Sequence, residues 1–123
     1  MRVISTDSAP GAIGPYSQAI VANGFVFASG QVPLSPDSGA LVPGGIEVQT
    51  LQVITNIKAI LAAAGSDITK VVKATCFLRS MDDFAAFNSV YGEHFTGKPA
   101  RSTVAVAGLP LGALVEVEVV AVL

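Results

Sequence analysis

Tyr16-Ser17-Gln18-Ala19-Ile20-Val21-Ala22-Asn23-Gly24-Phe25-Val26-Phe27-Ala28-Ser29-Gly30-Gln31-Val32 is the stretch that decides the fold. Two β-rich runs, 16–22 and 25–32, flank Asn23-Gly24. Both residues of a two-residue hairpin turn must accept positive φ, and Asn-Gly does so most readily. Gly30 interrupts the second run, which signals a bulge or a close approach of another group to the backbone. Pro33 ends the run, and 36–45 reads as a loop.

Working outward, 46–64 has helical spacing. Ile46, Val53, Ile57, Ile60, Leu61 and Ala64 form one stripe, and Gly65 suits the C-terminal cap. Residues 68–78 are rich in β-branched side chains and read as a strand. Ser80, with Asp83 three positions on, resembles a helix start. Phe84, Phe87, Tyr91 and Phe95 then follow at helical spacing as a core stripe, and Gly97 ends the helix. Residues 101–107 and 114–123 read as closing strands around the turn 109–112, which makes them antiparallel neighbours. A short strand fits residues 2–6. The expected class is α+β: one mixed β-sheet with both helices packed on one face.

The 123 residues fit a single domain, 1–123. Apolar residues make up 51% and charged residues 13%, where a typical soluble domain has about 25% charged. That surplus of valine and alanine points to a sheet face covered by other copies of the chain. The net charge of −2 and the scattered basic residues offer no footprint for nucleic acid or an anionic membrane. No run is long enough to span a membrane. The polar start after Met1-Arg2-Val3-Ile4 does not look secretory, so a cytoplasmic location is expected.

Metal chemistry finds no donor set. His94 is the one histidine and Cys76 the one cysteine, and the pair does not complete a zinc site. His94 reads as a solvated or capping group near a helix end. Cys76 reads as a small buried hydrophobe. Alternation along the closing strands sets Arg101, Thr103 and Ala105 on one face, and Glu116 with Glu118 on one face. If those strands pair, Arg101 and a glutamate share a surface. Arginine can hold a carboxylate through two hydrogen bonds, and a desolvated glutamate can move a proton to or from water. Spacing alone favours a plain cross-strand ion pair. Asn88, beside the aromatic stripe, either faces solvent or a cleft. Tyr16, after the stiff Gly14-Pro15, either packs on the core or points into a site.

With these residues in view, the sequence resembles the RidA (YjgF) family of reactive-intermediate deaminases. The match runs almost end to end, through Ala12-Ile13-Gly14-Pro15-Tyr16-Ser17-Gln18-Ala19, Ser29-Gly30-Gln31-Val32-Pro33, Asn56-Ile57-Lys58-Ala59-Ile60-Leu61, Asp83-Phe84-Ala85-Ala86-Phe87-Asn88, Pro99-Ala100-Arg101-Ser102, Leu109-Pro110 and Val115-Glu116-Val117-Glu118. The resemblance implies a chorismate-mutase-like fold and a homotrimer with clefts between subunits. It also implies hydrolysis of enamines and imines, such as 2-aminoacrylate released by pyridoxal-phosphate enzymes, to 2-keto acids and ammonia. No metal or organic cofactor is implied. By position, Arg101 matches the arginine that grips the substrate carboxylate and Glu116 the acid that positions water. Tyr16, Ser29 and Asn88 match other cleft residues, and the backbones at Gly30 and Thr103 approach the ligand. Thr103 stands where many deaminase members have cysteine. A non-enzymatic 2-keto acid sensor and a ribonuclease or translation inhibitor are the competing readings; the acidic balance speaks against the last.

Overall fold

The computed structural model describes residues 1–123. Its strands are β1 (Arg2–Ile4), β2 (Ala19–Ala22), β3 (Phe25–Gln31), β4 (Val71–Leu78), β5 (Ala100–Ala105) and β6 (Val115–Val122). The helices are α1 (Ile46–Ala63) and α2 (Phe84–His94). All six strands form one mixed sheet in the order β1-β2-β3-β6-β4-β5, and both helices pack on one face of it.

The expected hairpin forms between β2 and β3, with φ of 52° at Asn23 and 79° at Gly24. The first strand starts later than expected, at Ala19, because Gly14 and Pro15 hold residues up to Tyr16 in a turn, where the Tyr16 amide donates to the Gly14 carbonyl at 2.9 Å. The register between β3 and β6 slips between Ala28 and Gln31, which is the irregularity that Gly30 signalled. Residues 68–70 form a short turn before β4 rather than part of it. There the Asp67 carboxylate accepts from the Thr69 amide at 2.8 Å. Ser80 likewise caps a short turn, 81–83, that leads into α2.

The α1 stripe is buried as expected, and its C-terminus closes as a Schellman motif. The Ser66 amide donates to the Leu61 carbonyl at 2.8 Å and Gly65 to Ala62 at 3.0 Å. The Arg2 guanidinium adds a bond to the Ala64 carbonyl at 3.0 Å, where a cation also suits the helix dipole.

One expectation fails. β5 and β6 are not neighbours. β5 pairs parallel with β4 (Ala74 opposite Arg101, Cys76 opposite Thr103), and β6 pairs antiparallel with both β4 and β3. The segment 106–114 therefore carries the chain across β4 instead of turning a tight hairpin. Arg101 aligns with the buried Ala74, on the helix-covered face. Glu116 aligns with Phe77 and alternates with the buried Val115 and Val117, on the open face. The two residues thus occupy opposite faces of the sheet, and the cross-strand ion pair does not exist.

The open face is strongly apolar. Val3, Phe25, Phe27 and Val104 are exposed there, and the Phe25 and Phe27 rings lie 6.3 Å apart. No helix is long and apolar enough to cross a membrane.

Candidate functional site

Arg101 leaves the start of β5 toward α2. Its guanidinium lies 4.7 Å above the centre of the Tyr91 ring and 5.7 Å from that of Phe84. One nitrogen donates to the Asn88 Oδ1 at 2.7 Å. Cation–π contact and a hydrogen bond to a neutral amide orient the fork without neutralising it. Tyr91 is itself fixed by stacking on Phe95, with centroids 4.2 Å apart at 12°, and by a tilted contact with Phe87. Burial pushes the Tyr91 phenol up to about 12, so it stays neutral. Arg101, Asn88 and Tyr91 line a cavity of about 450 Å³ with Thr96, Lys98 and Pro99. Sequence spacing assigned Tyr91 to the core. It is buried, yet one ring face serves as the platform for Arg101, a role that only the placement of β5 reveals.

Glu116 lines a second cavity, of about 540 Å³, with Tyr16, Ser29 and Gly30. The β-bulge in β3 and the missing side chain at Gly30 make the room: a Cβ there would lie 2.9 Å from the Glu116 carboxyl carbon. Burial, and secondarily the charge of Glu118 on the same face, raises the Glu116 pKa above the usual carboxylate range. The Ser29 hydroxyl donates to the Ser17 carbonyl at 2.6 Å, and the Ser29 amide donates to the Gln18 carbonyl at 2.9 Å. Ser29 therefore holds the segment that carries Tyr16.

Three buried polar side chains, to which sequence reasoning gave no role, tie the loops around this cavity. Gln18 accepts from the Thr6 amide at 2.7 Å and donates to the Pro10 carbonyl at 2.7 Å, which anchors the segment leading to Gly11 and Ile13. Asn56, on α1, donates to the Leu34 carbonyl at 3.0 Å and accepts from Gln52 at 2.9 Å. Gln49 accepts from the Leu114 amide at 2.8 Å, which fixes the start of β6. A polar residue on the buried stripe of a helix was the signal available for Asn56 and Gln49.

The structure thus gathers Tyr16, Ser29, Gly30 and Glu116 at one cavity and Asn88 with Arg101 at another. Thr103 joins neither. Its hydroxyl is buried, and the residue lies opposite Cys76 in the ladder. Cys76 is fully buried, and burial pushes its thiol up to about 11, so it behaves as the small hydrophobe expected. His94 sits at the end of α2, with Nδ1 3.0 Å from the Lys58 Nζ, outside both cavities.

The family profile described as Endoribonuclease L-PSP matches residues 6–123. The chain belongs to this endoribonuclease L-PSP (RidA/YjgF) family. Among curated relatives, "Putative regulator AldR" of Lactococcus lactis is 52% identical, over 98% of this chain and 97% of that protein. A 2-iminobutanoate/2-iminopropanoate deaminase of Capra hircus is 51% identical, over 98% of this chain and 89% of the relative. A solved Rid-family structure, YyfA of Yersinia pestis, superposes with a TM-score of 0.96 at 52% identity, over 99% of this chain and 98% of that one. The RidA resemblance and the sheet with two helices on one face both hold. Within the L-PSP family the names divide between deaminases, regulators and endoribonucleases.

Proposed function

We propose that this chain is a hydrolytic deaminase of reactive enamines and imines of 2-keto acids, 2-aminoacrylate being the simplest, and that it releases the 2-keto acid and ammonia. The observation that carries the reading is Arg101: a guanidinium aimed by an amide and two aromatic rings, with no carboxylate of its own chain against it. A ligand carboxylate supplies the missing counter-charge through two charge-assisted bonds. Relatives named 2-iminobutanoate/2-iminopropanoate deaminase at about 50% identity support the same class.

The chemistry asks little of the protein, because the imine carbon is already electrophilic. Water adds to that carbon, and Glu116 accepts a proton from the water. The imine nitrogen takes up that proton to give a carbinolamine; the carboxylate then carries the hydroxyl proton to nitrogen, and the C–N bond breaks to release ammonia as the oxygen becomes the keto group. A carboxyl poised by desolvation suits both proton transfers. An enamine first becomes the imine by taking a proton at its terminal carbon and giving one up from nitrogen.

Arg101 and Glu116 lie on opposite faces of one sheet, so we propose further that two copies complete each cleft. The Arg101 cavity of one subunit would meet the Glu116 cavity of the next in a homotrimer closed over the apolar face. Light scattering checks the assembly: a particle of three chains is expected, and a monomer that is fully active would refute the shared cleft.

Purified protein added to an amino-acid oxidase or dehydratase reaction is expected to speed keto-acid and ammonia release. No acceleration across several imines would overturn the enzyme. Keto-acid binding in that case would favour the sensor reading, to which the regulator name of one close relative lends support. The net charge of −2 gives the ribonuclease reading no electrostatic basis.

Gly30 offers a sharp test of the geometry. An added methyl displaces only the end of a flexible glutamate, so Gly30→Ala is expected to fold normally. Shifting the carboxyl by about 1 Å should still cost roughly a hundredfold in kcat. Full activity in steady-state assays would mean that Glu116 does not need its place.

A further inference from the structure

The cavity beside Glu116 has two unlike sides. Tyr16, Ser29, Gly30 and Glu116 form the polar one, and Ile13, Val32, Leu34 and Leu111 form an aliphatic one. Two of these aliphatic residues are left largely uncovered by their own chain. Ile13 is 92% exposed and Leu111 is 68% exposed. Leu111 also sits in left-handed backbone, φ 58° and ψ 18°, within the short turn Pro110–Gly112. Glycine or asparagine takes that conformation cheaply and leucine does not. A strained residue that holds apolar surface at a cavity mouth is a feature maintained against stability, and such features gather at ligand sites.

From this we infer that Leu111 and Ile13 form an aliphatic side-chain subsite, which selects imines of 2-keto acids with branched aliphatic chains. The inference rests on the deaminase reading for its geometry. An imine carbon bears three groups: the carboxylate directed to Arg101, the nitrogen near Glu116, and a side chain. The aliphatic wall is the surface left for the side chain. A methyl group leaves most of that wall wet, whereas a branched chain of three or four carbons covers it and removes the exposed leucine from water. The neighbouring loop is braced for this task. Asn56 holds the Leu34 carbonyl at 3.0 Å, and Leu34 bridges to Leu41.

The test compares kcat/KM for the imines that an amino-acid oxidase makes from leucine and from alanine, in the wild type, Leu111→Asn and Leu111→Gly. Both replacements suit the left-handed backbone, so both variants are expected to fold, with melting temperatures at or above that of the wild type. The wild type should favour the leucine-derived imine by at least about tenfold, and both variants should lose most of that preference. An unchanged ratio in active variants overturns the subsite and leaves the deaminase standing. A changed ratio accompanied by a changed particle size in light scattering assigns Leu111 to subunit packing and also overturns the subsite. If the wild type hydrolyses neither imine, the deaminase reading fails, and calorimetry with 4-methyl-2-oxopentanoate and pyruvate decides the subsite. Tighter binding of the former that the variants lose sustains it, and equal binding overturns it.

Discussion

Arg101→Ala is expected to lower kcat/KM for imine hydrolysis by about a thousandfold. Two hydrogen bonds between charged groups contribute roughly 3–6 kcal/mol together, and each 1.4 kcal/mol is about a factor of ten. The guanidinium has no acidic partner within the chain, so its removal leaves no buried charge unpaired, and the variant should melt close to the wild type. Arg101→Lys restores the charge but neither the fork nor the stacking on Tyr91, and should recover only a small part of the loss. Coupled assays of imine disappearance check both variants. Activity of Arg101→Ala within threefold of the wild type would remove the carboxylate grip from the mechanism.

Glu116→Gln should cut kcat by about a hundredfold to ten-thousandfold, the usual contribution of a positioned proton carrier. Keto-acid binding should survive, because the change leaves the Arg101 fork and its Asn88 and Tyr91 supports intact. The pH profile carries a second signature. Burial and Glu118 raise the Glu116 pKa in the folded chain. The folded state then holds this proton more tightly than the unfolded state does. Stability is therefore lost as pH rises from the ordinary carboxylate value through the raised one. Glutamine removes that penalty, so Glu116→Gln should melt higher than the wild type at neutral pH. The difference should vanish once the unfolded carboxylate is also protonated. Wild-type activity should fall as pH drops through the raised value, since the base must be ionised. Thermal melts and rate profiles over the same pH range test the pair. A variant whose advantage over the wild type is no larger at neutral pH than at low pH would show that Glu116 is not desolvated in solution.

The sequence made the local parts of the fold legible. The Asn23-Gly24 hairpin, the stripe of α1 with its Gly65 cap, and the Gly30 bulge are each set within a few residues, and each stands as expected. The position of β5 was not legible in that way. Residues 109–112 look like a hairpin turn, and the nine residues from 106 to 114 exceed what a tight hairpin uses. The β4–α2–β5 order pointed to a parallel crossover unit, and that signal outranked the turn. Strand partners are chosen by which faces must be buried, and no local motif encodes that choice.

The site divides along the same line. The resemblance named Arg101, Glu116, Asn88, Tyr16, Ser29 and Gly30, and the structure gathers them at two cavities. Their supports were hidden. Tyr91 read as one more core aromatic until β5 set Arg101 over its ring. Gln18 and Asn56 stood in the family motifs as plain letters, and their hydrogen bonds to distant carbonyls appear only once the loops are placed. Thr103 remains the departure from the family pattern, opposite Cys76 in the ladder and lining neither cavity.

The placement of Arg101 and Glu116 on opposite sides of β4 has a genetic consequence under the shared-cleft reading. An Arg101→Ala chain still carries a sound glutamate half, and a Glu116→Gln chain a sound arginine half. Each alone builds only dead clefts. Co-assembled, they regenerate a working cleft wherever the intact halves meet, so two null alleles complement one another within a single cell. A chain carrying both lesions cannot supply either half and acts as a poison to its wild-type neighbours.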